Sequence, residues 1–226
     1  MVRKRRAVLK RTGALIGVGG VAGGAVTGVS ADHDTEDQYP AADRFHAADS
    51  SNYTDSDRHS GKVDWIVLHS TVCSDECAEN TFQDPDSDVS AHYIVSNYDD
   101  TKYPPGSITQ MVFNSDTAWH ARCANSYSIG IEHEWIKGED PVGEACYDAS
   151  AELVDWLCVE FDIRKVVVSN DEFDGQTPWC SEPGGIVAHR DSPDRDCNCD
   201  DTIATRCPDP RGFSFEVWEG YFDKYR

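Results

Sequence analysis

Apolar and polar positions alternate in short bursts along this chain, and the period inside each burst sets the element it predicts. Residues 63–69 run from Val63 through Ile66, Val67 and Leu68 to His69. The run is short and rich in strand formers, so it predicts a buried strand that ends on histidine. Val89 to Val95, Ser107 to Phe113 and Ser128 to Glu134 also read as strands. In the last of these, Glu132 and Glu134 alternate against Ile129 and Ile131, which predicts a row of carboxylates opposite an apolar face. The period then changes. Ala149, Leu153, Leu157 and Phe161 recur every fourth residue, flanked by Val154 and Cys158. That spacing predicts a helix covering the sheet. Val166 to Val168 predicts a short strand, and Ile186-Val187-Ala188-His189 repeats the opening pattern of an apolar run closed by histidine. Phe213 to Tyr225 predicts a closing amphipathic helix. The polar stretches between read as connections: an exposed lead-in over 32–60, an acidic loop holding Cys73 and Cys77, and long loops over 169–185 and 190–212. Phe82 to Asp84 reads as the end of a short helix or turn, stopped by Pro85.

Two strands that each end on a histidine hold two imidazoles in fixed positions. Rigidly held ligands lose little entropy when they bind a metal. A third anionic candidate follows in Arg206-Cys207-Pro208-Asp209-Pro210. Two histidines and one anionic ligand make a catalytic zinc set, with one position left for water. The nine cysteines favour Cys207 as the third ligand, because a Cys207 thiolate leaves eight for four disulfides. Asp209 is the alternative.

Charge and the first residues add where the chain works. Lys4-Arg5-Arg6 precedes a weakly hydrophobic, glycine-interrupted run from Thr12 to Gly28, and Val29-Ser30-Ala31 suits a cleavage site. This is the pattern of a twin-arginine signal peptide over 1–31, and the run falls short of the ~20 strongly apolar residues of a membrane span. Export fits the cysteine load, and the mature form is expected to carry no membrane span. The whole chain has net charge −21, with 20 Lys+Arg against 41 Asp+Glu. Such a surface excludes nucleic acid, whose phosphates need cationic contacts. It also fits a salt-rich medium, where screening relieves the self-repulsion.

The segments Val-Leu-His-Ser-Thr at 67–71, Val-Ser-Ala-His-Tyr-Ile-Val at 89–95, Ile-Thr-Gln-Met-Val at 108–112, Ala-Trp-His-Ala at 118–121, Ser-Ile-Gly-Ile-Glu-His-Glu at 128–134 and Ala-His-Arg-Asp at 188–191 occur in one order. In that order they resemble the zinc-dependent N-acetylmuramoyl-L-alanine amidases of the amidase-2 type, the superfamily of phage T7 lysozyme and the peptidoglycan recognition proteins. The resemblance implies an α/β fold, with a central mixed β-sheet flanked by helices in a single domain over 52–226, after an acidic lead-in at 32–51. It implies Zn2+ on His69, His189 and Cys207 or Asp209. Glu132 would face the water and act as the general base, since Ala91 stands where many relatives have a catalytic tyrosine. Trp119 and His120 would touch substrate, with His92 beside them as a substrate-binding or structural group. Relatives often carry a Lys two residues before the third ligand. Thr205 is in that place if Cys207 is the ligand, so Arg206 would stabilise the oxyanion.

The expected function is therefore a secreted, monomeric zinc hydrolase that cuts the amide between N-acetylmuramic acid and L-alanine in peptidoglycan. Two other readings compete: a module that binds wall peptides without cutting them, and an amidase acting on another surface polymer.

Overall fold

The computed structural model describes residues 37–169, 182–192 and 209–226. The signal-like segment and the 32–36 part of the lead-in lie outside them. Among the described residues the elements run β1 (Arg44–Phe45), β2 (Tyr53–Thr54), β3 (Trp65–Ser70), α1 (Asp75–Gln83), β4 (Tyr93–Val95), β5 (Ile108–Gln110), β6 (Thr117–Ala118), β7 (Ser128–His133), α2 (Glu144–Phe161), β8 (Val167–Val168), β9 (Gly185–Ala188) and α3 (Phe215–Phe222). Seven strands form one mixed sheet in the order β1-β5-β4-β7-β3-β9-β8. The five from β4 to β8 are parallel, and β5 runs antiparallel to β4. β2 and β6 form a separate two-stranded ribbon. No helix among the described residues is long and apolar enough to cross a membrane.

β3 sits in the middle of the parallel block, and all six of its residues are buried. A parallel strand covered on both faces needs an unbroken apolar run, as Trp65 to Leu68 supplies. Alternation divides the run. Ile66 and Leu68 join Ile129, Ile131 and Ile186 in the core under α2, while Trp65 and Val67 join Val187 and Ala121 on the other face. α2 presents Leu153, Val154, Leu157 and Phe161 to the first core, as the spacing predicted. It ends at Asp162, whose backbone is left-handed at φ 56°. α3 lays Trp218 and Phe222 onto the same core.

Two expectations change. The 37–60 stretch is no exposed linker: β1 pairs with β5, Tyr39 packs on Trp156, and Asn52 is fully buried. Asn52 donates to the carbonyls of Phe82 and Asp84, so a polar side chain is satisfied inside. The acidic segment after Cys73 is largely helix. Ser74 caps α1 by accepting from the Cys77 N–H, with Asp75 and Glu76 in the first turn, and Cys73 bonds to Cys77 across the cap. Ser150, which the apolar spacing does not mark, is buried on α2 beside Leu153 and Val154. His133 Nδ1–H donates to the His69 carbonyl at 2.8 Å. Its Nε2 then accepts from Ser150 Oγ–H at 2.7 Å, and Ser150 Oγ accepts from Trp218 Nε1–H at 3.1 Å.

That chain runs from α3 through α2 to the backbone of His69, and all three side chains are fully buried. Ser150→Ala leaves an indole N–H and an imidazole nitrogen buried without partners. An unsatisfied buried group costs ~1–3 kcal/mol. The expected loss is about 2–5 kcal/mol, read as a fall in denaturant midpoint at unchanged m-value. A Ser150→Ala protein as stable as the wild type would show that the chain contributes nothing.

Candidate metal centre and active site

Three neighbouring strands deliver the first groups. His69 of β3 lies in register with Glu132 of β7, and Leu68 lies opposite Ala188, the residue before His189. Paired positions of parallel strands share a face. His69, Glu132 and His189 therefore emerge side by side at the carboxyl ends of the strands, on the face away from α2. Ligand sites in open α/β sheets lie at such ends. Asp209 closes the group from the segment before α3. Its Oδ2 is 3.0 Å from His69 Nδ1 and 3.2 Å from His189 Nδ1. Its Oδ1 accepts from the backbone N–H and the hydroxyl of Ser70, each at 2.8 Å. One donor atom from each of His69, His189 and Asp209 lies within 4.8 Å of the others.

These atoms fit a metal. Two imidazole nitrogens and a carboxylate oxygen are a known ligand set for zinc, and ligand bonds of ~2.0–2.2 Å give tetrahedral edges of about 3.3–3.5 Å. The two separations from Asp209 Oδ2, 3.0 and 3.2 Å, approach that length. The electrostatics agree. Burial, and then the neighbouring His189, push His69 down to about 4, so its imidazole is neutral and able to ligate. Burial would raise the Asp209 carboxyl, but contacts with His189, His69 and Ser70 outweigh it and hold the group below its usual range.

A cavity of about 490 Å3 opens over these residues, walled by Phe82, Val89 and Trp119 and lined also by Glu132 and Arg211. Arg211 is the one Lys or Arg on that wall among the described residues, and nothing in the sequence pattern marked it. Glu132 reaches the cavity; Glu134 does not. Glu134 is fully buried and accepts from the backbone N–H groups of Asp75, Asn97 and Tyr98, so it joins α1 to the loop after β4. Trp119 forms part of the wall and donates from Nε1 to Thr54 Oγ1. His92 does not line the cavity: it is fully buried and accepts from the Gly130 N–H. His120 borders the cavity, yet its ring nitrogens meet His69 Nε2 at 3.0 Å and Ser128 Oγ at 3.3 Å. Both ring nitrogens are thus engaged within the fold. Gly130 makes room for it, because a Cβ there would lie 2.5 Å from His120 Cγ. Cys207, Arg206 and Thr205 lie outside the described residues. The expected pairing changes, however. Cys146 and Cys158 are free thiols buried on α2, so eight cysteines do not form four disulfides, although the seven that remain still leave one over.

His69, His92, His120 and His133 are all pushed below the ordinary 6.5, by burial first, with His69 and His133 near 4. Lowered folded values mean that the unfolded chain binds more protons in acid. The stability these groups contribute is full above about pH 6.5 and is lost as pH falls towards 4, at up to ~1.4 kcal/mol per pH unit for each. The metal-free protein is expected to keep a constant melting midpoint above pH 7 and to lose it steeply between pH 6.5 and 4. A flat midpoint down to pH 4.5 would contradict this burial.

Comparison with known proteins agrees with the geometry. A curated relative, N-acetylmuramoyl-L-alanine amidase A of Achromobacter lyticus, is 35% identical over 109 residues; the match covers 48% of this chain and 56% of the relative. This chain thus spans little more than half of that protein's length. Among solved structures, a selenomethionine derivative of AmpD matches with TM-score 0.54 at 18% identity, covering 82% of this chain and 97% of its own. AmpDh3 from Pseudomonas aeruginosa, in complex with an anhydromuramic pentapeptide, matches with TM-score 0.51 at 20% identity, covering 76% and 65%. At these identities the two structures speak for the fold alone. The profile of the amidase-2 family, described as N-acetylmuramoyl-L-alanine amidase, matches residues 59–210, a span that holds His69, Glu132, His189 and Asp209, and the chain belongs to that family.

Proposed function

We propose that the protein is a zinc hydrolase that cuts the amide between N-acetylmuramic acid and L-alanine in peptidoglycan. One observation carries the reading: His69, His189 and Asp209 converge at the strand ends, with Glu132 one strand away on the same cavity. Zinc held there would supply a Lewis acid that polarises the scissile carbonyl and acidifies water. Each residue then has a task. His69 and His189 would hold the metal as neutral imidazoles, and Asp209 would hold it as an anion fixed by Ser70. The Glu132 carboxylate takes a proton from the attacking water and passes it to the leaving amine. Trp119, Phe82 and Val89 give one wall of the cavity an apolar surface. A complete ligand set beside a carboxylate favours an enzyme over a module that only binds wall peptides.

We infer further that the chain is exported and works in a salt-rich medium. The twin-arginine segment, the Cys73–Cys77 bond and a disulfide-bonded Cys123 support export. The acidic excess supports the medium.

Purified murein or defined muropeptides at high salt provide the test, with release of free L-alanine amino termini as readout. Glu132→Ala is expected to keep one zinc per chain and to lose about 10²–10⁴ in rate, the range of a general acid–base group. Asp209→Ala is expected to lose the zinc itself. Equal activity in Glu132→Ala would sink the mechanism, and a zinc-free wild type would sink the metal assignment.

A further inference from the structure

We propose that His120 is a positioning residue that fixes the tautomer of His69, holding its proton on Nε2 so that Nδ1 faces the metal position as a bare lone pair. This rests on the reading of His69, His189 and Asp209 as metal ligands. The argument starts at the far end of a hydrogen-bond chain. The carbonyl of Ala124 can only accept. Ser128 Oγ lies 2.8 Å from it and donates its single proton there. That hydroxyl has nothing left to give to His120 Nε2, so Nε2 carries the proton and donates to Ser128 Oγ at 3.3 Å. A neutral imidazole has one N–H, so His120 Nδ1 is an acceptor. It lies 3.0 Å from His69 Nε2, which must be the donor. One N–H on each neutral ring makes each inference single-valued. The result is that His69 Nδ1, 3.0 Å from Asp209 Oδ2, is itself an acceptor. Two acceptors at that distance need a cation between them.

The surroundings hold His120 to this task. Its backbone N–H and that of Ala121 both donate to Asn125 Oδ1, at 3.1 and 2.6 Å. Its ring lies against Gly130, where no side chain could fit. Without His120, Asp209 alone would choose the tautomer. A carboxylate prefers a donor, so His69 would shift its proton to Nδ1 and block the ligand position. Partners of metal-bound histidines that set the tautomer in this way contribute roughly 10–100-fold to metal affinity.

The test separates positioning from packing. Long-range 1H–15N correlation of the imidazoles reports the tautomer, and zinc competition with a chromophoric chelator reports affinity. In the wild type, His69 is expected to carry its proton on Nε2 with and without zinc. His120→Ala is expected to move that proton to Nδ1 in the metal-free protein and to weaken zinc binding by about 10–100-fold. His120→Asn places an amide oxygen near the former Nδ1 and is expected to restore the tautomer and most of the affinity. Ser128→Ala removes the acceptor that orients His120 while leaving the ring in place, and is expected to mix the tautomers. The proposal is overturned if His69 carries its proton on Nδ1 in the metal-free wild type. It is equally overturned if His120→Ala binds zinc as the wild type does, or if His120→Asn is as impaired as His120→Ala. A wild type that binds no zinc would overturn the metal reading instead, and the metal-free tautomer would still decide this one.

Discussion

The parallel pairing of β7, β3 and β9 is the constraint on which everything else depends. Parallel register fixes which residues stand abreast, and a slip of one position would turn every side chain to the opposite face. Here the register is set by the core under α2, through Ile66, Leu68, Ile129, Ile131 and Ile186. Those apolar contacts are strong and non-directional. They place His69, Glu132 and His189 on the other face as a consequence. The chemistry is therefore positioned by burial of residues that take no part in it.

Burial then creates a demand that hydrogen bonds must meet. An imidazole inside the fold loses its hydration, so it stays neutral and needs partners with the right donor and acceptor sense. Two chains answer this around His69. One, from Trp218 through Ser150 and His133, holds its backbone carbonyl. The other, through His120 and Ser128 to Ala124, holds its ring. Both end in groups with a fixed sense, an indole N–H and a carbonyl. Each chain is thus directional, and the residue between them is constrained at both backbone and side chain.

Legibility in the sequence followed the range of the interactions. The strands around His69 and His189, and α2, were readable because a local period encodes them. Glu132 was readable by its parity with Ile129 and Ile131. The same parity misplaced Glu134, because β7 ends at His133 and the alternation lapses beyond it. The lead-in looked like a linker because its polar residues, Asn52 among them, are buried with partners far away in sequence. Ser150 is absent from the apolar stripe that marks α2, and its two partners are 17 and 68 residues away. His120 borders the cavity as the resemblance implied, but the contacts of its ring with His69, Ser128 and Gly130 lie outside any local pattern. Asp209 stood only as the alternative to Cys207, because its contacts with His69 and His189 span 140 and 20 residues, and no spacing rule reveals them.

The attachment of Asp209 shows how far the site is built without its metal. Ser70, the residue after His69, donates twice to Asp209 Oδ1, and its hydroxyl also accepts from the Arg211 N–H at 2.7 Å. The Asp209 carbonyl accepts from the Arg190 N–H, and the Gly212 carbonyl accepts from the Val142 N–H. The segment that carries the third ligand is thus tied to the end of β3, to the turn after β9 and to the approach to α2. None of these bonds uses Asp209 Oδ2, the oxygen that faces the two histidines. One carboxylate oxygen is spent on position and the other is kept for the ligand role. A ligand fixed in this way loses little ordering entropy on binding, and its fixed charge compensates for the neutrality that burial imposes on His69. The hydroxyl after the strand-ending histidine, a small feature of the opening motif, is what joins the two halves of the site.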